Sequence, residues 1–235
     1  MSLFNIKKTR KIHRYLGLFI GIQFVFWTIG GLYFSWTNIE EIHGDQFLSA
    51  SSDKPSLSNT NFPFPLNNAV DSTMVVEALE LTFIANEAYY LLNDSLLYNA
   101  RSGNYLPHIN EEQARAIVMQ QLKNDLSISS VDWLIQDDVG AHHEYRKKPL
   151  PAWVFSFAEK KDLRAYVSAN TGQFQKIRHN KWRIFDFFWM LHTMDFQGRD
   201  NFNNYVLRGF SILGLLTISS GFLLFYLTSP MRPKR

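Results

Sequence analysis

Two stretches of the chain are apolar from end to end, and the remainder alternates between apolar and polar positions. Residues 15–36 read YLGLFIGIQFVFWTIGGLYFSW, with no charge and Gln23 as the most polar side chain. Residues 209–227, GFSILGLLTISSGFLLFYL, are also uncharged. At about 1.5 Å per residue the first run reaches roughly 33 Å as a helix, enough for a hydrocarbon core of about 30 Å; the second is near the minimum. The pattern predicts transmembrane helices over 15–37 and 206–228. A buried core helix is the alternative for either run, and a cleaved signal peptide is a further one for the first. Against cleavage, the run is long for a signal, and Trp36-Thr37-Asn38 follows in place of a small-residue site.

Between the spans the pattern is that of a folded domain. An outer strap or linker is expected over 38–73, since 49–73 is rich in Ser, Asn, Asp and Pro. An α+β domain is expected over 74–180, and an interfacial aromatic helix with a lead-in to the second span over 181–205. Residues 100–105, ARSGNY, and 169–174, ANTGQF, both match A-x-[Ser/Thr]-G-x-[aromatic] after strand-like runs. Each Gly suits a hairpin turn, because it takes positive φ without strain, and the repetition suggests two related units. Asn110 is a candidate N-cap with Gln113 completing a capping box, and Ala114, Ile117, Val118, Gln121 and Leu122 share a helical face. That helix is expected to end near 123–126. Strands are expected at 131–135, 153–157 and 164–167, with a polar loop at 138–151. Helix followed by strands predicts antiparallel strands with a helix on one face.

The spans carry small-residue stripes. His13, Gly17, Gly21, Phe24, Thr28, Gly31 and Ser35 share one helical face; Ser211, Gly214, Thr217 and Gly221 form a similar row. Such rows suit close helix packing in lipid, within one chain or between copies, and they also leave room for a flat cofactor.

Charge sets the orientation. Lys7, Lys8, Arg10, Lys11 and Arg14 precede the first span, Arg232, Lys234 and Arg235 follow the second, and every Asp and Glu lies between. The positive-inside rule then assigns the basic segments 1–14 and 229–235 to the cytoplasm of a bacterial inner membrane and the central domain to the periplasm. Trp27, Trp36 and Trp189 have the character of interface anchors. A net charge of +3 gives no case for nucleic acid. The absence of Cys excludes disulfides and thiolate chemistry by this chain. No Gly-rich phosphate loop or dinucleotide fingerprint is present, no Ser-His-Asp set has a motif around it, and the sequence leaves open whether the chain is an enzyme.

Three separated signatures resemble one family. PAWVFSF followed by RAYVSANTGQ, after a helix and strands, resembles a PepSY domain. Lys11-Ile-His-Arg-Tyr-Leu-Gly17 opening a span resembles the first helix of PepSY-associated transmembrane proteins, and Trp189-Met-Leu-His192-Thr resembles their second His motif. Larger members resemble ferric-siderophore or flavin-linked reductases with membrane haem; this chain has two expected spans and no reductase module. The resemblance implies an accessory role in iron- or siderophore-related, haem-linked electron transfer. Its partners would be the lipid bilayer and either a second copy in a homodimer or a reductase or transport partner. The alternative is a membrane-tethered PepSY binding or regulatory module without redox chemistry, acting on an envelope partner or a peptidase.

The histidines are the candidate haem b ligands, since neutral imidazole binds haem iron. His13 stands at the cytoplasmic mouth of the first span on the small-residue face; alternatively it is an interfacial His touching lipid phosphate. His192 shares a face with Phe185, Phe188, Trp189 and Phe196, which suits a haem edge or a His hydrogen-bonded to a carboxylate such as Asp195. His43, beside Glu40, Glu41 and Asp45, stands outside the first span. On one continuous helix His13 and His43 would be roughly 45 Å apart, so bis-His ligation would pair His43 with His192, or His13 with a symmetry mate. His142 and His143 read as solvated, and His108 and His179 have no supporting constellation.

Overall fold

A computed structural model of the chain describes residues 5–49, 73–123 and 125–229. The chain divides into two compact units, one made of the two chain ends (up to Asn38 and from Ile184) and one made of Ile39–Arg183. The Ser- and Pro-rich part of the expected strap, and the basic tail beyond Ser229, lie outside the described residues.

The unit of the chain ends is helical. Helix α1 runs Ile6–Trp36 and helix α5 runs Tyr205–Thr228. Both are long and apolar enough to cross a membrane. A core helix in a soluble protein would hide its apolar side chains; here Leu18, Phe19, Ile22, Val25, Leu215, Phe222 and Phe225 are exposed, as lipid-facing residues are. Helix α1 starts earlier than its apolar run, because Asn5 caps the amides of Lys7 and Lys8 and makes the basic segment helical. Helix α4, Asn180–Thr193, crosses from one unit into the other. Asn204, which caps α5, also donates to the Thr193 carbonyl and so ties the two helix ends together.

Contacts within this unit fix the helix register. Along the first two thirds of α1 the partner is α5, running antiparallel: Phe210 stacks on Phe19 at 5.5 Å, and Ser220 meets His13 at 2.8 Å. Further out the partner is α4. Gln23 donates to the Leu191 carbonyl at 3.2 Å and Trp27 to the His192 carbonyl at 3.1 Å, while Phe188 and Phe185 meet Tyr33 and Phe34.

The unit of Ile39–Arg183 begins with a short helix α2, Ile39–His43, and contains two antiparallel four-stranded sheets, ordered β1-β2-β3-β4 and β5-β6-β7-β8. The strands of the first are Leu79–Ile84, Glu87–Leu92, Leu96–Asn99 and Tyr105–Leu106. Those of the second are Ile128–Leu134, Ala152–Phe157, Arg164–Ser168 and Phe174–Arg178. Helix α3, Glu111–Gln121, has the expected capping box: Asn110 accepts from the Gln113 amide and Gln113 accepts from the Asn110 amide. It stops at Gln121, short of 123–126, because Leu122 turns extended and pairs with Leu48. One core joins both sheets through α3. Ile84, Leu91 and Leu97 of the first meet Ala114, Ile117 and Val118 of the helix and Phe155, Phe157, Ala165, Val167 and Ile177 of the second.

The two repeated turns fold alike. Gly103 and Gly172 have φ of 74° and 65°. The Gly103 amide donates to the Asn99 carbonyl and the Gly172 amide to the Ser168 carbonyl, four residues back in each case. The Asn99 and Ser168 amides in turn donate to the carbonyls of Asn104 and Gln173. Each turn joins the third strand of a sheet to the fourth.

Candidate functional site

His13 sits in the second turn of α1. Its Nδ1 lies 2.8 Å from the Ser220 hydroxyl oxygen, and that hydroxyl donates to the Thr217 carbonyl at 2.7 Å. If the Ser220 proton goes to Thr217, the Ser220 oxygen accepts from Nδ1 of the His13 ring, and Nε2 is then the nitrogen open to a metal. Ligating histidines commonly have this arrangement, with one nitrogen fixed by a hydrogen bond and the other left for the metal. Gly221 makes the close approach possible: a Cβ there would stand 3.2 Å from His13 Cε1.

His192 lies in the last turn of α4. Its ring is boxed by Trp27 at 5.9 Å, Phe34 at 5.9 Å and Trp189 at 6.5 Å, the last stacked on it. Its Nδ1 is buried with no hydrogen-bond partner. A buried nitrogen left without a partner is costly, so this ring is short of one bond. The carboxylate expected beside it is engaged elsewhere: Asp195 accepts from the amides of Gln197, Gly198, Asp200 and Asn201.

His13 and His192 do not meet. One stands at its own level on α1 and the other at the level of Trp27, a separation of about 21 Å along the axis at 1.5 Å per residue. A single haem cannot take an axial nitrogen from both. His43 is exposed at the end of α2 and belongs to the other unit. Among the glycines of the stripes, Gly214 and Gly221 face α1 through Phe24 and His13, whereas a Cβ on Gly17, Gly21 or Gly31 would meet nothing within 4 Å. Among the described residues, no group of three or more His, Asp or Glu side chains gathers as a metal site.

The remaining histidines have structural partners. His108 pairs with Asn170 at 2.8 Å, and buried His179 with the Glu41 carbonyl at 2.8 Å. His142 is exposed, but its neighbour His143 is half-buried and accepts from the Tyr145 amide, contrary to the solvated reading. In the sequence Asp186 is only a carboxylate within the aromatic run before the second apolar stretch, with no partner assigned to it. It is buried and ion-paired with Arg199, closing the segment after α4 onto that helix.

Asp195 organises the same segment. Its four amide hydrogen bonds stabilise the carboxylate and hold its pKa below the usual range. A lowered folded value means that the stabilisation is complete above the ordinary carboxylate range and is lost as pH falls through the lowered value. Hydrogen-exchange protection of the Gly198 and Asn201 amides is therefore expected to hold steady from neutral to mildly acidic pH, and to drop only below the ordinary Asp range. Protection lost already near neutrality would contradict this account.

Comparison with family models, with characterised proteins and with solved structures gives no match. The functional reading therefore rests on the motifs and the geometry.

Proposed function

We propose that this chain is a two-pass accessory protein of the bacterial inner membrane, with a PepSY-like periplasmic domain, serving haem-linked electron transfer in iron or siderophore handling. The observation that carries the proposal is the contact of His13 Nδ1 with the Ser220 hydroxyl, itself bonded to the Thr217 carbonyl, which fixes the imidazole of an apolar-helix histidine through one nitrogen. His192, in its aromatic box, is the second candidate by its motif; its buried Nδ1 has no partner to fix it. Haem b, when bound, supplies reversible one-electron chemistry at iron. The chain's own part is to hold each imidazole in one orientation and, around His192, to exclude water with Trp27, Phe34 and Trp189. Since His13 and His192 stand at different levels, each would ligate a separate haem. A second histidine for either haem would have to come from a symmetry-related copy or from another subunit.

The chain should be expressed with haem available, purified in mild detergent, and its visible spectrum recorded before and after dithionite. A Soret band is expected, and His13→Ala and His192→Ala should each alter it. Ser220→Ala should give a smaller change through His13 alone. If no Soret band copurifies and added haem does not bind specifically, the redox reading fails. If both His variants keep the parent spectrum, the ligands are wrong.

A further inference from the structure

The outer face of the second sheet, in the unit of Ile39–Arg183, gathers more positive charge than its own carboxylate can balance. Glu144 is buried there and fully engaged. Arg183 grips it at 2.7 and 3.0 Å, Tyr166 donates to it at 2.6 Å, and Arg164 stands 3.9 Å away. Around this neutralised centre lie further cations. Lys176 and Arg178, two apart on β8, project to the same side of the sheet. Arg146 comes from the preceding polar loop. The guanidinium groups of Arg178 and Arg146 both lie over the Trp182 ring, at 4.4 and 5.8 Å.

Lys176 is the most strained member. Its ammonium reaches the Glu144 backbone carbonyl at 3.4 Å, a long bond for a group so shielded from water. Burial, with Arg178, Lys148 and Arg146 crowding it, pushes its pKa down to about 7, and Glu144 offsets only part of this. The Arg178 Nε is buried without a hydrogen-bond partner. All four side chains, Arg146, Lys176, Arg178 and Trp182, are half-buried, so the cluster still opens to solvent.

Like charges brought together at the expense of hydration are stabilised by an anion. The shape of the cluster narrows the choice. Two guanidinium groups already lie over the indole of Trp182, which leaves less ring surface for a flat aromatic ligand to stack on. The cluster offers N–H donors of two guanidinium groups and one ammonium, of which Arg178 already gives one to the Ile177 carbonyl at 2.9 Å and Lys176 one to the Glu144 carbonyl, a donor set suited to a tetrahedral oxyanion. We propose that Arg146, Lys176 and Arg178 form a binding site for a phosphate group, either free or carried by a lipid. The site stands independently of the haem reading.

Competitive acetylation tests this. The full chain, in phospholipid-free detergent at near-neutral pH, is treated with limiting acetic anhydride, and each lysine is read by mass spectrometry. Lys176 should react, inorganic phosphate should protect it severalfold, and chloride at matched ionic strength should not. Exposed Lys181, paired with Glu41, serves as the internal reference. Arg146→Gln and Arg178→Gln should each raise the half-protecting phosphate concentration about tenfold, the loss of one charge-assisted hydrogen bond. Arg146→Lys keeps the charge and should retain most of the protection. If Arg178→Gln does not fold, by circular dichroism, the Arg146 pair carries the test. Protection in nanodiscs containing phosphatidic acid, without protection by inorganic phosphate, would assign the site to a lipid phosphate. Equal protection by chloride, protection that survives Arg146→Gln, or no protection by phosphate or phosphatidic acid would overturn the proposal.

Discussion

Replacing Gly172 with alanine is expected to destabilise the β-rich unit by roughly 2–5 kcal/mol, adding about 1–2 for a side chain at positive φ to about 1–3 for overpacking. The residue has φ of +65°, and its new Cβ would stand 2.4 Å from Ile84 Cδ1 and 2.9 Å from Cγ1. Ile84 is fully buried in the core that joins the sheets, so it has little room to yield. Unfolding of the full chain in detergent, followed by tryptophan fluorescence, measures the loss. Ile84→Val removes the nearer clashing atom and alone should cost about 0.5–1.5 kcal/mol. In the double variant part of the steric loss should return, so the two effects should sum to less than their parts. Strict additivity would show that the contact with Ile84 is not the cause.

Breaking the Asp186–Arg199 pair should be as damaging in the helical unit. Both side chains are largely buried, at 4% and 14% exposure. Asp186→Ala removes the carboxylate that Arg199 pairs with in that setting, and the loss of one partner of a buried pair typically costs about 3–5 kcal/mol. Replacing both partners with apolar residues, Asp186→Leu with Arg199→Met, should recover most of the loss, since no charge then remains to be desolvated. Amide protection along α4 and residues 194–204 is the readout. A double variant no better than the single one would mean that the pair has a further role, such as ordering that segment through bonds an apolar pair cannot make.

What was legible in the sequence follows the range of the interactions involved. The two long apolar helices, the Asn110 capping box and the twin glycine turns are local, and they stand over the residues that predicted them, although α1 begins before its apolar run. Strands β5, β6 and β7 fall within a few residues of expectation. The strand-like segment 88–99 before the first turn breaks into β2 and β3, because Asn93 and Asp94 take positive φ. Asn and Asp tolerate that region, so the signal was present. Strand β8 was missed because Lys176 and Arg178 break its apolar alternation.

The site residues divide the same way. His13 and His192 were singled out by motif. Their partners depend on how α1 meets α5 and α4, which no local pattern encodes: Ser220 is 207 positions from His13. The cationic cluster was hidden for a similar reason. Its members come from a loop, a strand and the first turn of α4, and only the two-residue spacing of Lys176 and Arg178 hinted at a shared side.

Both sheets pair each strand with its neighbour in sequence. No strand must wait for a distant one, so hairpins can close successively as the chain is delivered from its N-terminal side. Such an order keeps loop-closure entropy low and leaves few unpaired edges exposed at any moment. The step that cannot be local is the seating of α3 between residues of both sheets. That docking event is where assembly of the unit should become cooperative.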